Sequence, residues 1–171
     1  NGAIIYSLTE SRPLFVGEMP RSAYEFAASV MGAVPEIREL MYFSFDEHRI
    51  IGRDCFDPNF RFEPTAKLVF MVDAENSDVA RRAIGKLSDK YGFSCSRSSI
   101  RGIEVTRGDC TKGDSVRRLA GMLGGRAETV VCVGDYENDL RMIELADIGY
   151  AVGNAEEKLK VAADKVTVPY N

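Results

Sequence analysis

From residue 111 to residue 168, helical segments alternate with short apolar strands. Apolar spacing predicts helices over 111–123, 137–146 and 155–163, and strands over 129–133, 148–152 and 165–168. Parallel neighbouring strands need a crossover connection between them, and short helices joined by brief loops provide it. The sequence therefore predicts an α/β fold with a parallel sheet for this part of the chain.

The first two thirds of the chain follow another pattern. Two pairs of β-rich segments predict hairpins, one over 3–8 with 13–19 and one over 40–45 with 48–53. Further segments predict helices over 20–31 and 77–91, a loop over 54–65, and strands over 66–73, 93–98 and 102–107. The second helix has Ser77 as its predicted N-cap and Gly92 just past its end. We predict an α+β unit over 19–108, inserted into a core formed by 1–18 and 109–171.

Composition argues against several classes of function. The net charge of −4 gives no basic excess for nucleic acid, and no apolar run approaches the roughly 20 residues that span a bilayer. The cysteines show no Cys-x-x-Cys spacing, which disfavours a disulfide framework or a zinc site; they are Cys55, Cys95, Cys110 and Cys132. We expect a protein of the reducing cytoplasm, with neither a nucleic-acid nor a membrane partner.

An acidic cluster follows the apolar strand over 129–133. Gly134 ends the strand, Asp135 comes next, and Asp139 lies one helical turn further on. Ligands of open parallel sheets bind beyond the carboxyl ends of the strands, and close carboxylates repel each other unless a cation such as Mg²⁺ binds them. Acidic residues at a helix N-terminus also stabilise the helix dipole, so this pattern alone leaves a purely structural role open.

Two further residues bear on whether the acidic cluster has a function. Lys112 begins the predicted helix over 111–123, where its ammonium group is placed to neutralise a phosphate or a carboxylate, although a single lysine at such a position is usually solvated. Asn154 is the predicted N-cap of the helix over 155–163. Neither residue decides the function by itself.

Three stretches taken in order resemble the C-terminal half of the haloacid dehalogenase superfamily, in its Cof-like subgroup with a C2-type cap. They are TKGDSVRRLAGMLG, VVCVGDYENDLRMIELADIGYAVGNA and VAADKVT. NGAIIY resembles the family segment that precedes the cap, and GIEVTRGDCTKG resembles the segment where the cap returns to the core. The resemblance implies an incomplete HAD-like (Rossmannoid) parallel-sheet core with an inserted α+β cap domain.

The same resemblance implies a Mg²⁺-dependent phosphatase of small phosphorylated metabolites, sugar phosphates among them. It implies that Asp135 is a metal ligand and that Asp139 is the supporting acid of the metal site. It implies that Asn138 binds the substrate phosphate, and that Lys112 binds this phosphate and orients the catalytic nucleophile. Phosphoryl transfer needs mainly positioning and charge neutralisation, which these residue types supply.

The sequence departs from the family in one respect. The family's nucleophile is the first Asp of an Asp-x-Asp motif on an N-terminal strand, and the chain has no Asp-x-Asp. The nearest imitation, Asp73 with Glu75, lies in the predicted cap and is expected to cap a helix, and His48 is expected to be solvated at a hairpin turn.

We therefore expect a fragment that lacks an N-terminal core segment and is inactive alone. It is expected to retain this segment as a separate piece or to self-associate through the exposed sheet edge. The alternative is a non-catalytic HAD-like domain that binds a phosphorylated ligand or a partner.

Overall fold

A computed structural model of the chain describes residues 2–59, 64–125 and 128–170. Residues 60–63, part of the loop predicted over 54–65, lie outside this description. The strands are β1 (Ile4–Ser7), β2 (Arg12–Val16), β3 (Ile37–Phe43), β4 (His48–Gly52), β5 (Lys67–Val72), β6 (Phe93–Arg97), β7 (Gly102–Arg107), β8 (Val131–Gly134), β9 (Ile148–Ala151) and β10 (Lys165–Val166). The α-helices are α1 (Ser22–Ala33), α2 (Ser77–Tyr91), α3 (Lys112–Met122), α4 (Leu140–Leu145) and α5 (Glu157–Ala162).

Strands β3 to β7 form one antiparallel sheet in the order β4-β3-β5-β7-β6, and α1 and α2 cover one of its faces. Helix α2 turns Ala80, Ile84 and Ser88 towards the sheet, four residues apart, as the 3.6-residue period requires. Phe26 of α1 is fully buried and meets Phe70 edge-on at a ring-centroid distance of 6.0 Å. We call β3 to β7 with α1 and α2 the antiparallel unit.

Strands β8, β9 and β10 form a parallel sheet in the order β10-β9-β8, as the alternating pattern predicted. Its small core consists of Cys132, Ile143, Ala151, Ala155 and Leu159. We call these strands with α3, α4 and α5 the parallel unit. The hairpin β1-β2 lies against it, because the hydroxyl of Ser115 in α3 donates a hydrogen bond to the carbonyl of Gly2.

Strand β8 has a single partner among the described strands. It pairs with β9 on one side, so its other edge presents backbone donors and acceptors without a strand partner. Val131 and Val133 project from the face opposite Cys132, and each is more than half exposed. An edge and a face of this kind are the features by which a sheet accepts a further strand.

Several details differ from the sequence-based predictions. Asn76, and not Ser77, holds the N-cap position of α2, and the buried hydroxyl of Ser77 has no hydrogen-bond partner within the described residues. Glu156 holds the N-cap position of α5, because the side chain of Asn154 instead accepts the backbone N–H of Tyr170. Gly92, with φ of 69°, ends α2 in the left-handed conformation as predicted.

The mixed α/β fold is confirmed, and its division into a core over 1–18 and 109–171 and a cap over 19–108 stays a prediction. Within the described residues, no helix combines the length and the apolar character of a membrane span.

Candidate functional site

The acidic cluster lies at the carboxyl end of β8, in a sharp passage from strand to helix. Asp135 follows the strand directly, and a 3₁₀ turn over Glu137–Asp139 leads into α4. Gly134 makes the passage possible, because a Cβ at this position would lie 2.6 Å from the Cβ of Asp139. The glycine thus lets the carboxylate of Asp139 fold back against the end of the strand.

Asp139 is the buried acid of this cluster, with 4% of its surface exposed. Its Oδ1 accepts a hydrogen bond from Lys112 Nζ at 2.5 Å, and its Oδ2 accepts the backbone N–H of Asp135 at 3.1 Å. Burial, the largest influence, raises the pKa of Asp139, but the bond from Lys112 and the backbone N–H groups together hold the pKa below its ordinary value. Asp139 is therefore an ionised group whose two oxygens are both engaged.

Lys112 reaches Asp139 from the first turn of α3. Thr111 caps this helix in a reciprocal arrangement with Asp114, a Thr-x-x-Asp pattern that is readable in the sequence. Gly113 lets α3 approach α4 closely, because a Cβ there would lie 2.5 Å from the carbonyl oxygen of Arg141. The capping and the close helix contact together fix the start of α3 beside the acidic cluster.

Substituting Gly113 tests how far this close contact holds the site together. Gly113→Ala is expected to lower the free energy of unfolding by about 2 kcal/mol, because the new methyl group meets backbone atoms that cannot move aside cheaply. Gly121→Ala in the same helix is the matched control, since nothing lies within 4 Å of its Cβ position. Its free energy of unfolding is expected to rise by up to about 1 kcal/mol, because alanine favours the helix more than glycine does. Urea denaturation measures both, and equal effects would contradict the packing argument.

Lys112 lies between two clefts. The first, of about 370 Å³, is open to solvent and is lined by residues that include Lys112, Asp135, Asp139 and Tyr170. The second, of about 190 Å³, lies beneath the antiparallel sheet and is lined by residues that include Lys112, Asn138, Ser94, Ser96 and Thr106. The structure thus brings Lys112 together with Asp135 and Asp139 on one side and with Asn138 on the other.

The carboxylate of Asp135 has one side-chain partner that sequence reasoning missed. The hydroxyl of Tyr170 donates a hydrogen bond to Asp135 Oδ2 at 2.6 Å, although more than half of the tyrosine surface is exposed. The carbonyl of Asp135 also accepts the backbone N–H of Glu156 at 2.9 Å. No local pattern around Tyr170 signals this contact, which joins residues 35 positions apart.

The donor set fits part of a magnesium site. Asp135 presents carboxylate oxygens to the open cleft, the ligand type that Mg²⁺ prefers, whereas both oxygens of Asp139 already accept hydrogen bonds from Lys112 and backbone N–H groups. Within the described residues, no three His, Cys, Asp or Glu side chains come together as a metal site. These residues therefore suit one direct ligand and one supporting acid of a larger ligand set.

Other residues considered from the sequence lie away from this cluster. Asp73 binds Arg38 with a nitrogen–oxygen distance of 2.7 Å and makes no side-chain capping bond, and His48 is exposed at the start of β4. All four cysteines are free, and burial raises the pKa of Cys95 and of Cys110 to about 11, so these two thiols are protonated at neutral pH. Cys95 and Cys110 line the second cleft, but a protonated thiol is a poor nucleophile.

A second set of contacts starts from Glu137, to which the sequence assigns no role. Its carboxylate accepts hydrogen bonds from Arg81 Nη2 at 2.8 Å and from the backbone N–H of Arg97 at 2.9 Å. Burial raises the pKa of Glu137, but these donors together hold it below its ordinary value. Since Arg81 lies 56 positions away, no local sequence signal could have revealed the contact.

Comparison with known protein families identifies the family of this chain. The model of a family described as haloacid dehalogenase-like hydrolase matches residues 36–171. The chain belongs to this family. The resemblance of its ordered motifs to Cof-like members of the superfamily is thereby confirmed.

Several curated relatives of this haloacid dehalogenase-like chain are named phosphatases. A phosphoglycolate phosphatase of Methanosarcina acetivorans is 48% identical over 56 residues, which make up 33% of this chain and 25% of that protein. The 5-amino-6-(5-phospho-D-ribitylamino)uracil phosphatase YcsE of Bacillus subtilis is 32% identical over 100 residues, or 58% of this chain and 40% of that protein. The chain thus matches between a quarter and two fifths of the length of these relatives.

Solved structures share the fold over nearly the whole chain. A sugar phosphatase of HAD subclass IIB superposes with a TM-score of 0.79 at 17% identity, covering 99% of this chain and 68% of the other. A haloacid dehalogenase-like hydrolase from B. subtilis superposes with a TM-score of 0.78 at 21% identity, covering 98% and 72%. Similarity at these identities shows the fold, and it confirms the predicted HAD-like α/β architecture.

Proposed function

We propose that the chain is part of a Mg²⁺-dependent phosphatase that hydrolyses phosphate monoesters of small metabolites. The observation that carries the proposal is the placing of the Lys112 ammonium group against Asp139, beside the carboxylate of Asp135, at the carboxyl end of β8. A cation next to a metal-type carboxylate, in an open cleft at a strand end, suits a phosphoryl group. The phosphatase relatives support the same reaction class.

In this proposal each residue has a distinct role. Asp135 holds Mg²⁺, which supplies charge neutralisation for the phosphoryl group. Lys112 binds the phosphate oxygens with its ammonium group, and Asn138 donates an amide N–H to the phosphate from the second cleft. Asp139 acts through its partners, since it orients Lys112 and holds the backbone at Asp135.

The nucleophile is proposed to come from a strand outside these 171 residues. The chain has no Asp-x-Asp, and the edge of β8 that would accept a further strand lies directly beside Asp135. A carboxylate oxygen of that strand attacks phosphorus, the bond from phosphorus to the ester oxygen breaks, and the departing alkoxide takes a proton from the second Asp of the same motif. Water then hydrolyses the aspartyl phosphate to inorganic phosphate and regenerates the carboxylate.

The polar residues of the second cleft support a polar substrate class. Serine and threonine hydroxyls, from Ser94, Ser96 and Thr106, line it beneath the antiparallel sheet. Hydroxyl groups both donate and accept hydrogen bonds, which suits a small polar leaving group such as a sugar. We include sugar phosphates among the proposed substrates for this reason.

An assay with p-nitrophenyl phosphate tests the proposal. The protein translated from the complete reading frame is expected to release p-nitrophenol in the presence of Mg²⁺. This release is expected to stop when a chelator removes the metal. The 171-residue chain alone is expected to show no turnover, because no aspartyl phosphate can form without the nucleophile. Equal turnover by the isolated chain would overturn the proposed origin of the nucleophile.

The missing Asp-x-Asp favours one other candidate, a domain that binds a phosphorylated ligand without hydrolysing it. Equilibrium dialysis of inorganic phosphate against the complete protein separates the two functions. Phosphate binding that depends on Lys112, combined with no p-nitrophenol release, would support the binding domain and reject the phosphatase.

A further inference from the structure

Glu137 connects the two units of the molecule. It belongs to the 3₁₀ turn that also carries Asn138 and Asp139, and its side chain leaves the parallel unit to meet α2 and β6. Arg81 Nη2 binds its Oε1 at 2.8 Å, and Arg81 Nε binds its Oε2 at 3.3 Å. Both oxygens of one carboxylate are thus held by one guanidinium of the antiparallel unit.

Arg97 extends the connection to a third element. Its backbone N–H donates to Glu137 Oε2 at 2.9 Å, and its guanidinium reaches Asp78 of α2 at 2.7 Å and Glu156 at 3.3 Å. Glu156 stands at the start of α5 and donates its own N–H to the carbonyl of Asp135. Arg97 therefore connects the antiparallel unit to the 3₁₀ turn after β8 and to the start of α5.

These contacts differ from ordinary surface ion pairs in burial and geometry. The side chains of Glu137, Arg81 and Arg97 are 16%, 25% and 24% exposed, so solvent screens them only partly. The contact of Arg81 with Glu137 is two-pronged, which fixes orientation as well as distance. A carboxylate held in this way restrains the turn that contains it.

We infer that Glu137 is a positioning residue, which orients Asn138 and closes the cleft beneath the antiparallel sheet by binding Arg81 and Arg97. The cleft is lined by Glu137 and Asn138 together with β6 and β7, so the same carboxylate sets its width. The effect on turnover rests on the proposed phosphatase function, whereas the restraint on the turn does not. Loss of the carboxylate charge frees the turn from the antiparallel unit while each unit keeps its own core.

Hydrogen exchange of single amides tests the restraint. The reporters are the amides of Asp139 and Leu140, which donate to carbonyls inside the turn, and the amide of Arg97, which donates to Glu137. Glu137→Gln is expected to raise their exchange rates roughly ten- to hundredfold, as for loss of hydrogen bonds to a charged group.

The matched control is Asp78→Asn. It removes the same charge from Arg97, but its contact stays within the antiparallel unit. Exchange at Asp139 and Leu140 is expected to stay unchanged in this control. The inference would be overturned if the exchange rates of Asp139 and Leu140 were equal in both variants, or if Glu137→Gln left these rates unchanged.

Steady-state kinetics on the complete protein supply a readout that a merely structural role would not move. Glu137→Gln is expected to raise KM for p-nitrophenyl phosphate about tenfold with little change in kcat, because Asn138 loses its orientation towards phosphate whereas Lys112 and the backbone N–H of Asp135 still hold the Asp139 carboxylate. Glu137→Asp keeps the charge, and its KM is expected to lie between that of Glu137→Gln and that of the parent protein. A fall in kcat with unchanged KM would contradict the positioning role, and the exchange experiment decides the restraint even if no phosphatase activity is found.

Discussion

Replacing Asp135 with Asn is expected to lower kcat/KM for phosphate monoesters by about 10²–10³-fold in the complete protein. The side chain keeps its size and keeps an oxygen for the hydroxyl of Tyr170, but it loses the charge that is proposed to bind Mg²⁺. Calorimetric titration of Mg²⁺ is expected to show a corresponding loss of affinity. The kinetic and calorimetric effects share one cause, so they are expected to appear together.

Glu157→Gln is the matched control for the lost charge. Glu157 lies on the surface of α5, is 83% exposed at its side chain and, among the residues that the structure describes, forms its one ion pair with Lys160 at 3.7 Å. The control is expected to leave turnover and Mg²⁺ affinity as they are in the parent protein. An unchanged Mg²⁺ affinity of Asp135→Asn would remove Asp135 from the metal site.

The second large effect is expected for Lys112→Met. The substitution leaves the charge of Asp139 buried without its cation, and we expect the free energy of unfolding to fall by about 2–3 kcal/mol, less than for a fully buried pair because Lys112 is 31% exposed. Turnover by the complete protein is expected to fall by about 10²–10³-fold, since Lys112 is proposed to bind the phosphate with its ammonium group. Urea denaturation and the p-nitrophenyl phosphate assay measure the two effects separately.

A second substitution separates the two effects of Lys112→Met. Adding Asp139→Asn removes the unpaired buried charge, so stability is expected to recover in part while turnover stays low. Lys160→Met is the control, because Lys160 is 27% exposed and its partner Glu157 is a surface group, and it is expected to cost less than about 1 kcal/mol. Full stability of Lys112→Met would show that Asp139 does not need the lysine.

Apolar spacing in the sequence predicted the helices and strands. The rule that ligands bind beyond the carboxyl ends of parallel strands predicted a site after β8. Helix α2 was predicted with its observed bounds because a strong apolar period is followed by Gly92, which ends the helix. Lys112, Asp135 and Asp139 line one cleft because Asp135 follows the end of β8, Asp139 folds back against it, and the start of α3 brings Lys112 to Asp139, although their roles stay predictions. The predicted N-cap at Asn154 was wrong, since the chain beyond β10 folds back and engages its side chain.

The unpredicted part of the site consists of contacts between distant segments. Arg81 and Arg97 reach Glu137 across 56 and 40 positions, and the hydroxyl of Tyr170 reaches Asp135 across 35. A single sequence carries no periodic signal for an ion pair of this kind, because each partner looks like an ordinary polar surface residue. The packing of the two units brings Arg81 and Arg97 to Glu137, and the fold-back of the chain beyond β10 brings Tyr170 to Asp135.

The two ends of the segment that forms the antiparallel unit lie close together, and this affects the order of folding. Gly17 lies so close to Cys110 that a Cβ on the glycine would sit 2.3 Å from the Sγ atom, and the whole antiparallel unit lies between these residues in sequence. Joining the ends of a flexible loop of about ninety residues costs on the order of 4 kcal/mol of chain entropy. A folded antiparallel unit removes most of this cost, because it already holds its two ends side by side. The hairpin β1-β2 is therefore expected to dock on α3 late, after the antiparallel unit has formed, and a destabilised antiparallel core would slow the assembly of a site that lies outside it.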